Sequence, residues 1–292
     1  MTDGLVVVRP GPLSTVQDLG RRGVAHLGVP RAGALDGPAL RAANRLVGNE
    51  PGTAAVEATL GGIALRALRP LVVAVTGAPS PVRVDGRPAA WGAPVAVPSG
   101  AVLDVGAATA GVRSYLAVAG GLAVPPVLGS RSADLLSGLG PAPLAAGDRL
   151  PVGPRPPYGP VPELVPLPAP PAQLVLRLRP GPRADWFAPD AAARLARASY
   201  RVAPASNRIA LRTEGPPLAR ARQDELPSEG MVLGAVQVPP DGLPVVFLAD
   251  HPTTGGYPVI GVVPPADLAA AAQARPGTPV RFLVLPSRPI AG

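Results

Sequence analysis

The chain has no cysteine, no lysine, two histidines and only 3% aromatic residues among its 292 positions. The first absence excludes disulfides, thiolate nucleophiles and cysteine-held metal or iron–sulfur centres. Without lysine there is no Schiff base and no P-loop lysine, so a nucleoside triphosphate site of that type belongs to another chain. His26 and His251 alone argue against a histidine-rich zinc site, and no metal site is expected. No uninterrupted apolar run approaches the roughly 18 to 20 residues that cross a bilayer. The opening Met-Thr-Asp-Gly lacks the basic and apolar parts of a signal peptide. A soluble, cytoplasmic protein without membrane association is the expectation.

What the chain does have is 47% apolar residues, 43 prolines, 35 glycines and a net charge of +8. A chain of this size can bury roughly 70 to 75% of its unfolded surface, so a substantial core is expected. Its basic balance would ordinarily point to nucleic acid. All 27 basic residues are arginine, however, and they are scattered, almost all singly, with few aromatic rings on which bases could stack. We read the charge as compositional bias and expect no nucleic-acid partner.

Short Val- and Leu-rich runs bounded by Gly and Pro read as buried strands: LVVV (5–8), LVVAVTG (71–77), VAV (95–97), YLAVAGG (115–121), LVLRLR (174–179), VVFLAD (245–250) and VRFLVL (280–285). Helical signals are few. Asp36 is placed to cap a helix running to about Val47 with Pro38 in its first turn, and 189–199 and 265–273 are two more. The pattern predicts an all-β, barrel-like architecture with a few peripheral helices. The proline-dense segment 153–172 reads as a stiff linker between an N-terminal barrel half, 1–152, and a C-terminal one, 173–292. Four segment pairs recur in the same order at offsets of about 170 residues: VVVRPGP with LRLRPGP, EATLGG with EGMVLG, PLVVAVTG with PVVFLADH, and VRSYLAV with VRFLVL. This reads as a weak internal repeat that equates Thr76 and Gly77 with Asp250 and His251.

Four polar clusters could carry chemistry. In STVQDLGRRG (14–23), Gln17, Asp18 and Arg21 bring together an amide, a carboxylate and a guanidinium, able to hold a planar polar ligand or simply to close a turn. In VLGSRSADLLSGLG (127–140), Ser130, Arg131 and Ser132 offer either an anion cradle or an ordinary serine cap. Glu229 lies in an apolar neighbourhood with Gln237 downstream. Burial would raise its pKa for acid–base work, whereas an arginine partner would do the opposite. In FLADHPTTGGYPVIG (247–261), Asp250 and His251 are adjacent, so on an extended strand they point to opposite faces and do not act on one atom. Asp250 and Glu229 are the candidate catalytic carboxylates. Thr254, Gly255, Gly256 and Tyr257 read as a loop whose backbone approaches a ligand, or as a plain turn between core strands.

QDLGRRG, AGALDGPALRAANRLVGN, AVEATLGG, YLAVAGG, VLGSRS, SEGMVLGAVQVP and ADHPTTGGYPVIG, in this order, resemble the KipA-like family. That family is also called allophanate hydrolase subunit 2, the biotin-dependent carboxyltransferase family or the C subunit of 5-oxoprolinase. The resemblance implies cyclophilin-like β-barrels and work alongside KipI-like and LamB/YcsF-like subunits, which with ATP and Mg open the lactam of 5-oxoproline to glutamate. The isolated chain would be inactive. ATP has a chemical purpose there, because a lactam carbonyl is a poor electrophile and phosphorylating its oxygen opens the carbon to water. By position in the motifs, Arg21 and Arg131 would take a carboxylate or phosphoryl group, and Gln17, Gln237 or the Gly255–Gly256 amides would bond the small-molecule substrate. Two other roles are known of this family: a carboxyltransferase acting on carboxybiotin and a urea-like substrate, and a regulator that binds a KipI-like kinase inhibitor. The chain departs from the family pattern at His251 and Pro252, where relatives read more like ADRQTTGGYP, and at Ala133, Asn207 and Ala210.

Overall fold

The computed structural model describes residues 3–155, 165–222 and 224–286. The chain divides into two compact units: residues 1–22 with 32–170, and residues 23–31 with 171–292. The division falls within the proline-dense segment, of which residues 156–164 lie outside the described ones. The excursion of 23–31 to the second unit has no signal in the sequence.

In the first unit the strands are β1 (Asp3–Arg9), β2 (Leu13–Gln17), β3 (Ala55–Thr59), β4 (Gly61–Ala67), β5 (Leu71–Gly77), β6 (Val82–Val84), β7 (Arg87–Ala89), β8 (Pro94–Val97), β9 (Val102–Ala107), β10 (Arg113–Val118) and β11 (Arg149–Pro151). They form a six-stranded sheet, β11-β1-β4-β9-β6-β7, and a five-stranded sheet, β2-β3-β10-β5-β8. Leu5, Val7, Ile63, Leu65 and Leu103 of the first sheet share one core with Val16, Val56, Val73 and Leu116 of the second. Alternate residues of the five-stranded sheet, Ala55, Ala74, Tyr115 and Ala117, pack instead against Leu40, Ala43 and Leu46 of helix α1 (Gly37–Leu46). Covered on both faces, β10 is buried at all six positions, with Arg113 and Ser114 leading into the apolar run Tyr115–Val118.

Asp36 caps α1 as expected, its carboxylate accepting from the Ala39 amide at 3.0 Å with proline in the first turn. The helix start is tied to the sheet by polar groups. The Tyr115 hydroxyl accepts from the Asp36 amide at 2.8 Å and donates to Glu57 Oε2 at 2.6 Å, which also accepts from the Leu35 amide at 3.1 Å. Arg113 Nε lies 3.6 Å from Glu57 Oε1. Burial, and then the charges of Glu57 and Asp36, hold the Tyr115 phenol well above its ordinary pKa, so it remains a donor to Glu57.

The second unit holds a closed barrel, β12-β19-β16-β17-β14-β13-β20, in which β12 and β20 run parallel. Its strands are β12 (Leu174–Pro180), β13 (Tyr200–Val202), β14 (Ala210–Glu214), β16 (Ala235–Gln237), β17 (Val245–Phe247), β19 (Val259–Val262) and β20 (Pro279–Val284). Helices α2 (Ala191–Arg197) and α3 (Pro265–Gln273) accompany them, near the two helices expected at 189–199 and 265–273. A separate ribbon pairs β15 (Glu229–Gly230) with β18 (Thr254–Gly255). On β12, Leu174, Leu176 and Leu178 are buried while Val175, Arg177 and Arg179 are exposed. By contrast, β16 and β17 are buried at every position. One set of their side chains, with Ala210, Met231 and Val259, makes a second apolar cluster: Ala235, Val245 and Phe247.

The mostly β architecture and the barrel agree with the sequence reading. The closed barrel is in the second unit, and the first is built of two stacked sheets. The inferred repeat does not extend to strand pairing: β5 pairs β10 over five residues, whereas their counterparts β17 and β20 are not neighbours. Short Val and Leu runs specify buried strands, but partners and register are set by turns and by which face is covered. At the point equated with Asp250 and His251, Thr76 Oγ1 donates to the Ala39 carbonyl at 2.8 Å. Gly77 has φ +83°, and a Cβ there would lie 2.3 Å from the Arg113 carbonyl oxygen, so that corner is structural. Among the described residues no helix is long and apolar enough to cross a membrane.

Tyr200, whose ring stands edge-on to Phe282 at 5.7 Å, has a buried hydroxyl without a hydrogen-bond partner among the described residues. Burial pushes its pKa up to about 12. Because the folded pKa lies above the unfolded one, this group's stabilisation is complete below about pH 10 and is lost as pH rises through the folded value. Tyr200→Phe is therefore expected to leave stability at neutral pH unchanged or higher, and to shrink the fall in denaturant midpoint between about pH 9 and about pH 11. An equal fall in both proteins would contradict this assignment.

Candidate functional site

The residues singled out in the sequence fall into two groups, one in each unit. In the first unit β2 ends at Gln17, and Asp18 begins the turn that follows. Asp18 Oδ1 accepts from the Ser130 and Ser132 hydroxyls, each at 2.6 Å, and from the Gly20 amide at 2.7 Å. Its Oδ2 accepts from the Arg131 amide at 2.6 Å. The Ser130-Arg131-Ser132 segment does form an anion cradle, and the anion in it is the chain's own carboxylate. Arg21, 2% exposed, donates from Nε to the Val127 carbonyl at 3.1 Å and from Nη2 to the Ser132 carbonyl at 2.5 Å. The Arg131 side chain donates through Nε to the Val124 carbonyl at 2.8 Å. Gln17 Nε2 donates to Thr15 Oγ1 and to the Ala133 carbonyl, both at 3.0 Å. Two buried atoms of this group keep no hydrogen-bond partner among the described residues: the acceptor Gln17 Oε1 and the donor Arg21 Nη1.

In the second unit β17 stops at Phe247, three residues short of Asp250. Asp250 and His251 therefore lie in a turn, with the His251 amide bonded to the Leu248 carbonyl at 3.2 Å, and strand alternation does not govern them. The two still face different partners. Asp250, fully buried, receives Nε and Nη2 of the equally buried Arg208 in a fork of two 2.9 Å bonds. A carboxylate so held anchors the turn and presents no surface to a substrate. The His251 ring stacks on Phe247 at 6.0 Å, with Nδ1 2.7 Å from the Pro252 carbonyl. Glu229 pairs with Arg183, so of its two readings the arginine partner is the one realised. It keeps 26% of its side chain exposed.

The remaining residues meet on the ribbon. Glu229 lies opposite Gly255, Gly230 opposite Thr254, and the Met231 amide bonds to the Thr253 carbonyl at 2.8 Å. Gln237 Nε2 donates to the Tyr257 carbonyl at 3.1 Å. A Cβ on Gly255 would lie 2.9 Å from that same nitrogen and 3.2 Å from Met231 Cγ, so any side chain here displaces the Gln237 amide. Tyr257 and Thr254 are exposed, Gly256 is half-buried, and Gln237 is buried. The chemistry assembled here is a partly exposed carboxylate–guanidinium pair beside a glycine-bared backbone and a primary amide. Such a set has the donors and acceptors to hold a polar ligand.

Arg208 and Arg183, the cations that define two of these carboxylates, were not among the expected site residues. Their signal was present only as the rule that a buried carboxylate requires donors, and 27 arginines satisfy that rule equally well in sequence. Among the described residues no three His, Asp or Glu side chains gather in a way that would hold a metal ion. ATP does not fit the predicted cradle, because its hydroxyls and the Arg131 amide are already committed to Asp18.

Comparison with known proteins starts from the carboxyltransferase domain family, subdomain A and B, whose profile matches residues 27–284. The chain belongs to that family. Within it, this carboxyltransferase-family chain is 38% identical to the C subunit of 5-oxoprolinase from Escherichia coli over 286 residues, 96% of this chain and 90% of that protein. The crystal structure of TTHA0988 superposes with a TM-score of 0.87 at 41% identity over 96% of this chain. That of the Kluyveromyces lactis urea amidolyase gives 0.87 at 30% identity over 98% of this chain. The chain spans 56% of the former structure and 19% of the latter.

Two substitutions test the geometry. Asp250→Ala strands the Arg208 cation in the interior and is expected to cost about 3–5 kcal/mol of unfolding free energy; a loss below about 1 kcal/mol would show that the pair is not the anchor. Gly255→Ala is expected to break the Gln237–Tyr257 bond while leaving the barrel folded. The change would be visible as a shifted Gln237 side-chain amide resonance against an otherwise unchanged amide spectrum.

Proposed function

We propose that this chain is the C-type subunit of an ATP-dependent 5-oxoprolinase, opening the lactam of 5-oxoproline to L-glutamate together with KipI-like and LamB/YcsF-like subunits. The observation that carries this reading is the extent of the match to the Escherichia coli protein, which spans nearly all of both chains. The urea amidolyase, in contrast, corresponds to this chain over 19% of its length. One feature of the second unit supports it: Glu229 with Arg183 and the backbone of Gly255–Tyr257 would orient the substrate's polar groups. ATP and its Mg ion belong to another subunit in this reading, consistent with the absence of lysine and the occupied cradle. The role is cytoplasmic, and the chain alone is inactive.

A second reading, the carboxyltransferase part of a urea carboxylase, is favoured by one observation: the urea amidolyase structure superposes over 98% of this chain at a TM-score of 0.87. Since the chain has no lysine, biotin would arrive on another protein.

Mixing the chain with both partners, 5-oxoproline and ATP is expected to release glutamate and ADP in equal amounts, with none formed when this chain is omitted or used alone. Carboxylation of urea with a biotin carboxylase partner, in place of glutamate release, would move the assignment to the second reading. Binding of the KipI-like subunit with no turnover in any mixture would make the chain a regulator.

A further inference from the structure

The first unit has a cleft that the polar clusters described above do not use. Its volume is about 430 Å³, at the small end of the roughly 300–1,000 Å³ typical of small-molecule sites. The cleft lies along the edge strand β8 and its neighbour β5, where Val72 is paired with Ala96 and the Ala119 amide donates to the Val72 carbonyl at 2.8 Å. Those three residues, with Pro70 and Pro98, give it an apolar lining. The turns on its two sides are tied to each other, since the Gly100 amide donates to the Ala67 carbonyl at 2.7 Å and the Ser99 hydroxyl to the Leu68 carbonyl at 3.2 Å.

The charged residues of the lining are Arg69 and Arg155, and no carboxylate joins them among the described residues. Arg69 is half-buried. Its Nη2 reaches the Val152 and Gly153 carbonyls at 3.5 and 3.2 Å, and its Nε is buried without a partner. Both bonds lie at or beyond the long end of the usual range. Arg69 makes no ion pair among the described residues. A guanidinium withdrawn from water ordinarily meets a carboxylate, and here the described residues supply only two long bonds to carbonyls.

We propose that this cleft binds a small organic monocarboxylate, its carboxylate held by the Arg69 guanidinium and its short apolar body lying on Val72, Ala96 and Ala119. The planar guanidinium matches a carboxylate in geometry and charge, and the floor rewards an apolar body. Inorganic phosphate fits less well, because oxygens turned to the floor would lose water without gaining donors. The same argument disfavours 5-oxoproline, whose lactam N–H and C=O would lie unpaired on alanine and valine. The site is independent of the 5-oxoprolinase reading and shares no residue with the ribbon or with the Asp18 cradle.

The test is titration of the full-length chain with benzoate, followed by its amide resonances. Saturable shifts at Val72 and Ala119 with a Kd below about 1 mM are expected. Benzamide, with the same body and no charge, and inorganic phosphate, with charge and no body, are each expected to bind at least about tenfold more weakly. Arg69→Gln is expected to raise the benzoate Kd at least about tenfold, and Arg69→Lys to raise it less. Ala96→Trp fills the cleft from an exposed position and is expected to abolish the shifts at unchanged thermal midpoint. If Arg69→Gln fails to fold, Ala96→Trp decides. Benzamide binding as well as benzoate would remove Arg69 from the site, and phosphate binding as well as benzoate would make the apolar floor irrelevant; either overturns the monocarboxylate assignment. Absence of saturable shifts in the wild-type chain, or shifts that survive Ala96→Trp, would show that the cleft is not a ligand site.

Discussion

A carboxylate taken out of water must be given donors, and in this molecule that constraint organises the irregular backbone. Asp18, Glu57 and Asp250 are each buried or nearly so, and each is answered by a different device. Asp18 is wrapped by two hydroxyls and two amides. Glu57 takes a phenol and an amide, and Asp250 takes a guanidinium fork. Each cluster joins segments far apart in sequence: 18 to 132, 57 to 115, and 208 to 250. In a chain with 43 prolines and few helices, such polar ties hold loops that regular hydrogen bonding cannot.

The same constraint sorts chemistry from scaffolding. A carboxylate with its lone pairs filled and no exposed surface is a fixed charge: Asp250 is of that kind, and half-buried Asp18 comes near it with four donors. Glu229 differs, since it keeps exposed surface and its single cation, Arg183, is itself exposed. It stands on a two-residue ribbon strand facing a glycine, next to an amide that reads the backbone of residue 257. The ribbon is thus where the second unit's partly exposed carboxylate, its glycine backbone and the Gln237 amide come together. Ala235 of β16 and Val245 and Phe247 of β17 share one apolar cluster with Met231, next to the ribbon residue Gly230.

Family and fold point the same way. The matched proteins include the C subunit of a 5-oxoprolinase and a urea amidolyase, so one scaffold recurs in differently named proteins. Here the match runs through nearly the whole chain, and one of the departures from the family pattern, at His251 and Pro252, falls in the turn after β17. That turn is tied from below by Arg208 and covered on one side by the ring of Phe247.

Composition and spacing determined much of this by themselves. They pointed to the β-rich class and to three helices with the Asp36 cap, because strand and cap preferences are local. Family membership was equally legible, since it rests on collinear motifs. The tertiary structure alone decided that the first unit is two stacked sheets, that β17 ends before Asp250, and that Ser130 and Ser132 cradle Asp18. It also decided which two of 27 arginines meet Asp250 and Glu229. Those are pairings between distant segments, and a pairing is set by packing and register, which no single stretch of sequence contains.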